Sequence, residues 1–204
     1  MPLVRKDPTN ATPADPADSA DLLSTGSPDQ RWSAARRLAD TPDGVAALSR
    51  ALARETDDRV REAIFTSLAR HGDAESIDAV ISYLRSDDAN LRRGALDTLR
   101  AMMPAARPRL PGLLADPDPD VRILVCDLPR GLPGVEATGL LCEVIARDRD
   151  PNVCAAAADV LAEVGVASAL PVLAACAARF PDQPFLGFAL TVAAQQIVAQ
   201  VPDE

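Results

Sequence analysis

Aromatic side chains are scarce in this 204-residue chain: one Trp, one Tyr and four Phe, 3% of the total. Histidine is scarcer still, with His71 alone, and Lys6 is the only lysine against twenty arginines. The hydrophobic fraction is nonetheless 48%, carried mainly by alanine and leucine. That balance argues against a β-sandwich, which draws on Val, Ile, Thr and Tyr, and favours close-packed helices with small contact residues. A lone histidine leaves little for nucleophilic or metal chemistry. His71 also precedes Gly72 at an expected helix end, where an imidazole meets the last helix carbonyls. No Gly-rich phosphate loop is present. There is no run of about twenty apolar residues, so no transmembrane helix is expected. Residues 1–10 lack the apolar stretch of a signal peptide, so cytoplasmic residence is the expectation.

The four cysteines, Cys126, Cys142, Cys154 and Cys176, form no C-x-x-C pair, and each lies in an apolar helical stretch. They read as small hydrophobes of a reduced interior, with no metal and no cofactor. The net charge of −9 is unevenly spread. Residues 1–27 carry −2, residues 28–115 carry +1, and residues 116–204, with thirteen acids and five bases, carry −8. An acidic half of this kind disfavours nucleic acid and permits a basic partner.

Self-similarity is the strongest feature present. Asp57-Asp58-Arg59-Val60-Arg61 is echoed by Asp88-Ala89-Asn90-Leu91-Arg92, by Asp118-Pro119-Asp120-Val121-Arg122 and by Asp150-Pro151-Asn152-Val153-Cys154. Asp29-Gln30-Arg31-Trp32 is a weaker first copy. Arg31, Arg61, Arg92 and Arg122 thus recur at spacings of 30, 31 and 30, and Cys154 takes the fifth place 32 residues on. Each copy opens with an Asp or Asp-Pro suited to a helix start. Apolar residues then follow at helical spacing, as in Val60, Ala63, Ile64 and Leu68. Gly72 and Gly165 mark breaks in the second and fifth copies. A second apolar pattern closes each unit: Ile77, Val80, Ile81 and Leu84 in one copy, Leu141, Val144 and Ile145 in another. Each unit is therefore two helices, A then B. A single hairpin cannot bury its apolar face alone, but a stack of about three or more can. The expected organisation is a disordered tail over 1–15, a repeat solenoid over 16–199 and a short C-terminal tail over 200–204. Residues 17–24 read as a truncated B helix, and 183–198 as a last, capping helix.

The pattern D-P-x-V-R-x-A-A-x-x-x-L with a later L-P-x-L resembles HEAT-like repeats of the short bacterial type first described in phycobilisome lyases. Asp118-Pro119-Asp120-Val121-Arg122 and Leu170-Pro171-Val172-Leu173 carry it best. The resemblance implies an all-α fold, an α-solenoid (alpha-alpha superhelix) of about five helical hairpins with a terminal capping helix. It also implies that Arg31, Arg61, Arg92 and Arg122 form a structural ladder with acids of successive repeats, weakened at Cys154. Deoxyhypusine hydroxylases on this scaffold need several His-Glu pairs, and this chain has none. HEAT-like DNA glycosylases need a basic, aromatic-bearing face, which a chain with one Trp and one Tyr does not suggest.

The expected function is that of a non-catalytic adaptor or regulator that binds another protein on its concave, B-helix face. A bilin lyase or lyase subunit is the alternative. Aligned B helices offer one outward row of Ala46, Asp78, Pro111, Cys142 and Pro171 and a second of Arg50, Ser82, Ala115, Ala146 and Ala175. Small residues there admit a helix or an extended peptide. Trp32, whose counterparts vary between copies, reads either as a cover for the open end of the first repeat or as an interface anchor.

Overall fold

The computed structural model describes residues 16–200; the expected tail over 1–15 lies outside them, as does the expected tail over 200–204 apart from Gln200, the last residue of the final helix. Among the described residues there are thirteen α-helices, four short 3-10 turns and no strand. They divide into two compact units, residues 16–79 and 80–200.

The first unit contains α1 (Pro16–Thr25), α2 (Pro28–Leu38), α3 (Gly44–Leu52) and α4 (Asp58–His71). It ends within α5 (Ala74–Ile81), which a 3-10 turn, Ser82–Arg85, extends into the second unit. The second unit continues with α6 (Ala89–Ala101), α7 (Met103–Ala106), α8 (Leu110–Leu114), α9 (Pro119–Val125), α10 (Gly134–Arg147), α11 (Pro151–Val164), α12 (Leu170–Arg179) and α13 (Pro184–Gln200). The 3-10 turn Arg107–Arg109 joins α7 to α8, so these pieces occupy the place of a single B helix.

The helix starts follow from the repeat. Asp57 accepts from the N–H groups of Arg59 and Val60, and Asp88, Asp118 and Asp150 each accept from the residue two positions on. Ser27 and Gln30 make a reciprocal capping box, and Pro28, Pro119 and Pro151 begin their helices without an orphan N–H. The two break glycines act differently. Gly72 ends α4 at φ 61, a left-handed conformation that favours glycine. Gly165 is extended, and its need is space: a Cβ there would sit 2.4 Å from the Leu161 carbonyl oxygen and 2.9 Å from Ile197 Cδ1.

Packing sorts the helices into two layers within each unit. In the first, A helix α2 stacks on A helix α4, and α1 packs beside α3. In the second, α9, α11 and α13 form the A layer, and α10 packs beside α12 in the B layer. Leu48, Ile64 and Leu68 are fully buried in the first core; Leu99, Leu141, Ile145 and Leu161 are fully buried in the second. Each such side chain contributes roughly 1.5–3 kcal/mol by leaving water.

The fourth A helix is shorter than its siblings. Helix α9 stops at Val125 and is followed by a 3-10 turn, Leu128–Gly131. Pro129 explains the stop: its nitrogen has no proton for the Val125 carbonyl, and its ring would clash with that oxygen in a continued helix. The last helix, α13, carries no charged residue and leaves Phe185, Phe188 and Val198 exposed on its outer side.

Candidate partner-binding surface

The repeated arginines sit under the turns that lead from a B helix to the next A helix. Three of them reach back six residues to a backbone carbonyl: Arg61 to Glu55 at 2.7 Å, Arg92 to Ser86 at 2.6 Å and Arg122 to Asp116 at 2.7 Å. Arg31 reaches the Gly26 carbonyl at 2.9 Å. Two of them also grip a carboxylate from the following turn with both arms. Arg31 holds Glu55 at 2.8 and 2.9 Å, and Arg122 holds Asp148 at 2.7 and 3.0 Å. The carboxylate oxygens are nearly closed to solvent, with side chains 4% and 8% exposed, which raises the worth of these bidentate pairs above that of a surface ion pair.

Glu55 and Asp148 each lie two positions before a capping aspartate, a place that Asp116 and Ser86 hold in the other two copies. Each also accepts the N–H of its own cap residue, so one side chain ties the turn and, in the acidic copies, receives an arginine. Asp116 receives Arg85. Burial pushes the Glu55 and Asp148 carboxyls up, but the hydrogen bonds from Arg31 or Arg122 and from backbone N–H groups outweigh it and hold both below the usual carboxylate range. These acids were recoverable from the sequence as an acid-x-Asp spacing before three of the A helices.

Cys154 does not leave the fifth turn without a cation. Its Sγ is 3.9 Å from the Ile145 and Asp148 carbonyls, too far to replace a guanidinium. Arg179, from the end of α12, swings in instead and donates to the Ile145 and Asp148 carbonyls at 2.6 and 2.8 Å and to that of Ala146. An arginine from the B helix of the same repeat thus supplies this turn with the cation that position 154 lacks.

Between α8 and α10 lies a groove of about 470 Å³. Pro111, Leu114 and Ala115 line one side, Leu140 and Val144 the other, and the Arg122–Asp148 pair lies at one end. Of the small residues nominated from the sequence, Pro111 and Ala115 line this groove. Cys142, Ala146, Pro171 and Ala175 do not; Cys142 is half-buried and the other three are exposed. Helix α10 turns its 140/143/144/147 stripe to the groove, while 142 and 146 lie off that stripe. Asp78 and Ser82 are exposed on α5 and the turn after it. In the first unit a comparable groove of about 270 Å³ separates α1 from α3, with Leu23, Ala47 and Ala51 in it, the Arg31–Glu55 pair in its lining, and Arg50 and Arg54 beside them. Ala46 is half-buried outside it.

Trp32 is half-buried on the A layer, away from these grooves. Two guanidinium groups lie over its ring, Arg36 at 4.7 Å and Arg59 of α4 at 5.1 Å from the ring centre. It therefore faces the second repeat and does not cover the open end of the first. His71 donates from Nε2 to the Leu38 carbonyl, 3.0 Å away, closing the end of the neighbouring helix α2 and not of its own. The thiols are poor nucleophiles: burial pushes Cys126 and Cys154 up to about 12 and raises Cys142 and Cys176 as well. No three His, Cys, Asp or Glu side chains among the described residues gather as a metal-binding set. No described helix is long and apolar enough to cross a membrane.

The chain matches HEAT repeats over residues 19–100 and 106–186 and belongs to that family. Among solved structures it is similar to an archaeal HEAT-like repeat protein from Thermococcus onnurineus, at 14% identity over 90% of this chain and 87% of that one, with a TM-score of 0.50. It is also similar to the CpcE–CpcF phycocyanin lyase complex from Nostoc sp., at 20% identity over 97% and 98% and a TM-score of 0.44. A designed armadillo repeat protein aligns at 14% identity over 90% and 100%, with a TM-score of 0.40. These likenesses concern the fold. No curated protein matches the chain.

Proposed function

We propose that this HEAT-repeat protein is a non-catalytic adaptor or regulator that binds a segment of another protein on its B-helix face, chiefly in the groove between α8 and α10. The observation that carries this reading is the groove itself. It is open, floored by Leu114, Leu140 and Val144, edged by the exposed Pro111 and Ala115, and anchored at one end by a bidentate ion pair. Small residues on such an edge let a partner backbone approach closely, and the ion pair keeps the turn below it rigid. The reactive side chains favour binding over chemistry: the sole histidine is committed to a carbonyl, and the most buried thiols are held protonated up to about 12.

The test is affinity capture from the source cell, quantified by mass spectrometry, with wild type beside Ala115→Glu and Leu140→Glu. A specific partner should be retained by wild type and lost from both variants at unchanged helicity and Tm. Undiminished capture by both, with loss on Trp32→Ala alone, moves the interface to the A layer and ends the groove reading.

A further inference from the structure

The acidic excess of residues 116–204 suggested a basic partner, yet the grooves themselves are not acidic. In the α8–α10 groove every carboxylate is already neutralised: Asp148 by Arg122, Asp116 by Arg85 and Glu143 by Arg147. One cation at the same end is left over. Arg149 is exposed and has no carboxylate partner among the described residues. Arg179 spends its donors on backbone carbonyls and lies 4.8 Å over the Phe180 ring, beside Arg147 and Arg149. Of the remaining acids, Asp150 at the start of α11 is near enough to Arg122 to act on it, Asp118 and Asp120 lie at the start of α9, and Asp159 and Glu163 on α11 face Arg130.

The first unit repeats the arrangement independently. Its α1–α3 groove contains three arginines and one carboxylate, and Glu55 is fully taken by Arg31. Arg50 and Arg54 are exposed and without a carboxylate partner among the described residues. Thus two separate B-layer grooves combine an apolar wall, a saturated ion pair and exposed arginine without a carboxylate partner among the described residues: Arg149 in one, Arg50 and Arg54 in the other. A guanidinium with free donors beside a low-dielectric wall is a carboxylate receptor.

Resting on the groove reading above, we propose that the partner segment is acidic: an extended stretch alternating apolar residues with Asp or Glu. Its apolar side chains lie against the groove wall and its carboxylates meet Arg149, or Arg50 and Arg54. A protein is favoured over nucleic acid. These arginines form no continuous track, and the residues lining the two grooves include Leu, Val and Ala but no aromatic ring; Phe180 lies beyond the end of one.

Selection of random dodecapeptides on phage against the full chain, followed by synthesis of the winners, tests this. Winners should be enriched in Asp and Glu over the unselected library. They should bind about tenfold or more weakly to Arg149→Glu or to the Arg50→Glu/Arg54→Glu double variant, as loss of a charge-assisted contact requires. Added salt should weaken them too. Neutral or basic winners that are lost with Ala115→Glu would overturn the acidic occupant and leave the groove reading standing. Winners indifferent to every groove variant, or no winners at all, would overturn both. Binding of a dodecameric oligo-dT that is lost in the arginine variants, without acidic winners, would overturn it in favour of nucleic acid. Circular dichroism melts of each variant identify any that fail to fold, and Arg149→Gln then replaces Arg149→Glu.

Discussion

Replacing Arg122 with alanine probes the repeat scaffold at its most enclosed ion pair. The guanidinium makes two bonds to Asp148 and one to the Asp116 carbonyl, all within 3.0 Å, and the two side chains are 16% and 8% exposed. Hydrogen bonds to charged groups contribute about 1.5–3 kcal/mol each, and stranding one partner of a buried pair costs about 3–5 kcal/mol. Asp148 keeps its backbone donors, from Asp150 and Arg149, so part of that penalty is relieved. The expected loss is therefore about 2–4 kcal/mol. The reference is Arg107→Ala, which removes a single-arm contact to Glu136 with the arginine 56% exposed, and which should cost about 0–1 kcal/mol. Urea unfolding of the full chain at pH 7, followed by circular dichroism, compares the two midpoints. The pH dependence has a definite sign. The folded Asp148 carboxyl lies below its ordinary value, so its stabilisation is present above the unfolded value, near 4, and is lost as the pH falls through the folded value. The gap between wild type and Arg122→Ala should be full at neutral pH and shrink in acid. Equal midpoints for the two variants at pH 7, or a gap that widens on acidification, would refute the account of the turn.

Arg179→Ala should cost about 1–3 kcal/mol by leaving the turn carbonyls at 145–148 without their donor, whereas Arg149→Ala should change the midpoint by less than about 0.5 kcal/mol. Gly44→Ala should destabilise by about 1–3 kcal/mol, because its Cβ would lie 2.1 Å from the Leu38 carbonyl oxygen. Gly139→Ala, within α10 and with nothing within 4 Å, should stabilise by about 0.5–1 kcal/mol, and thermal melts separate the two. With iodoacetamide at pH 8, Cys142 should alkylate before Cys126, Cys154 and Cys176, which should react only on unfolding in guanidinium; intact mass and peptide mapping give the order.

The A helices were legible because their signals are local. A capping Asp, a Pro at the first turn and apolar residues at helical spacing act within about four residues, and Asp57, Asp88, Asp118 and Asp150 all cap where the repeat placed them. The early end of α9 was legible too, through Pro129, but was masked by alignment to longer siblings. Trp32 was not legible, because its neighbour Arg59 is 27 positions away and belongs to another copy of the repeat.

The sequence by itself therefore determined the repeat period, the alternation of helices and the faces that must be buried, since each follows from hydrogen bonding and apolar spacing along a short stretch of chain. Only the tertiary structure decided which charges meet. Arg31 finds Glu55 across 24 positions, Arg122 finds Asp148 across 26, and Arg179 reaches Ile145 across 34 to stand in for Cys154. Those distances are set by how one hairpin lies on the next, and the same stacking opens the groove between α8 and α10 and leaves Arg149 without a carboxylate partner among the described residues at its end.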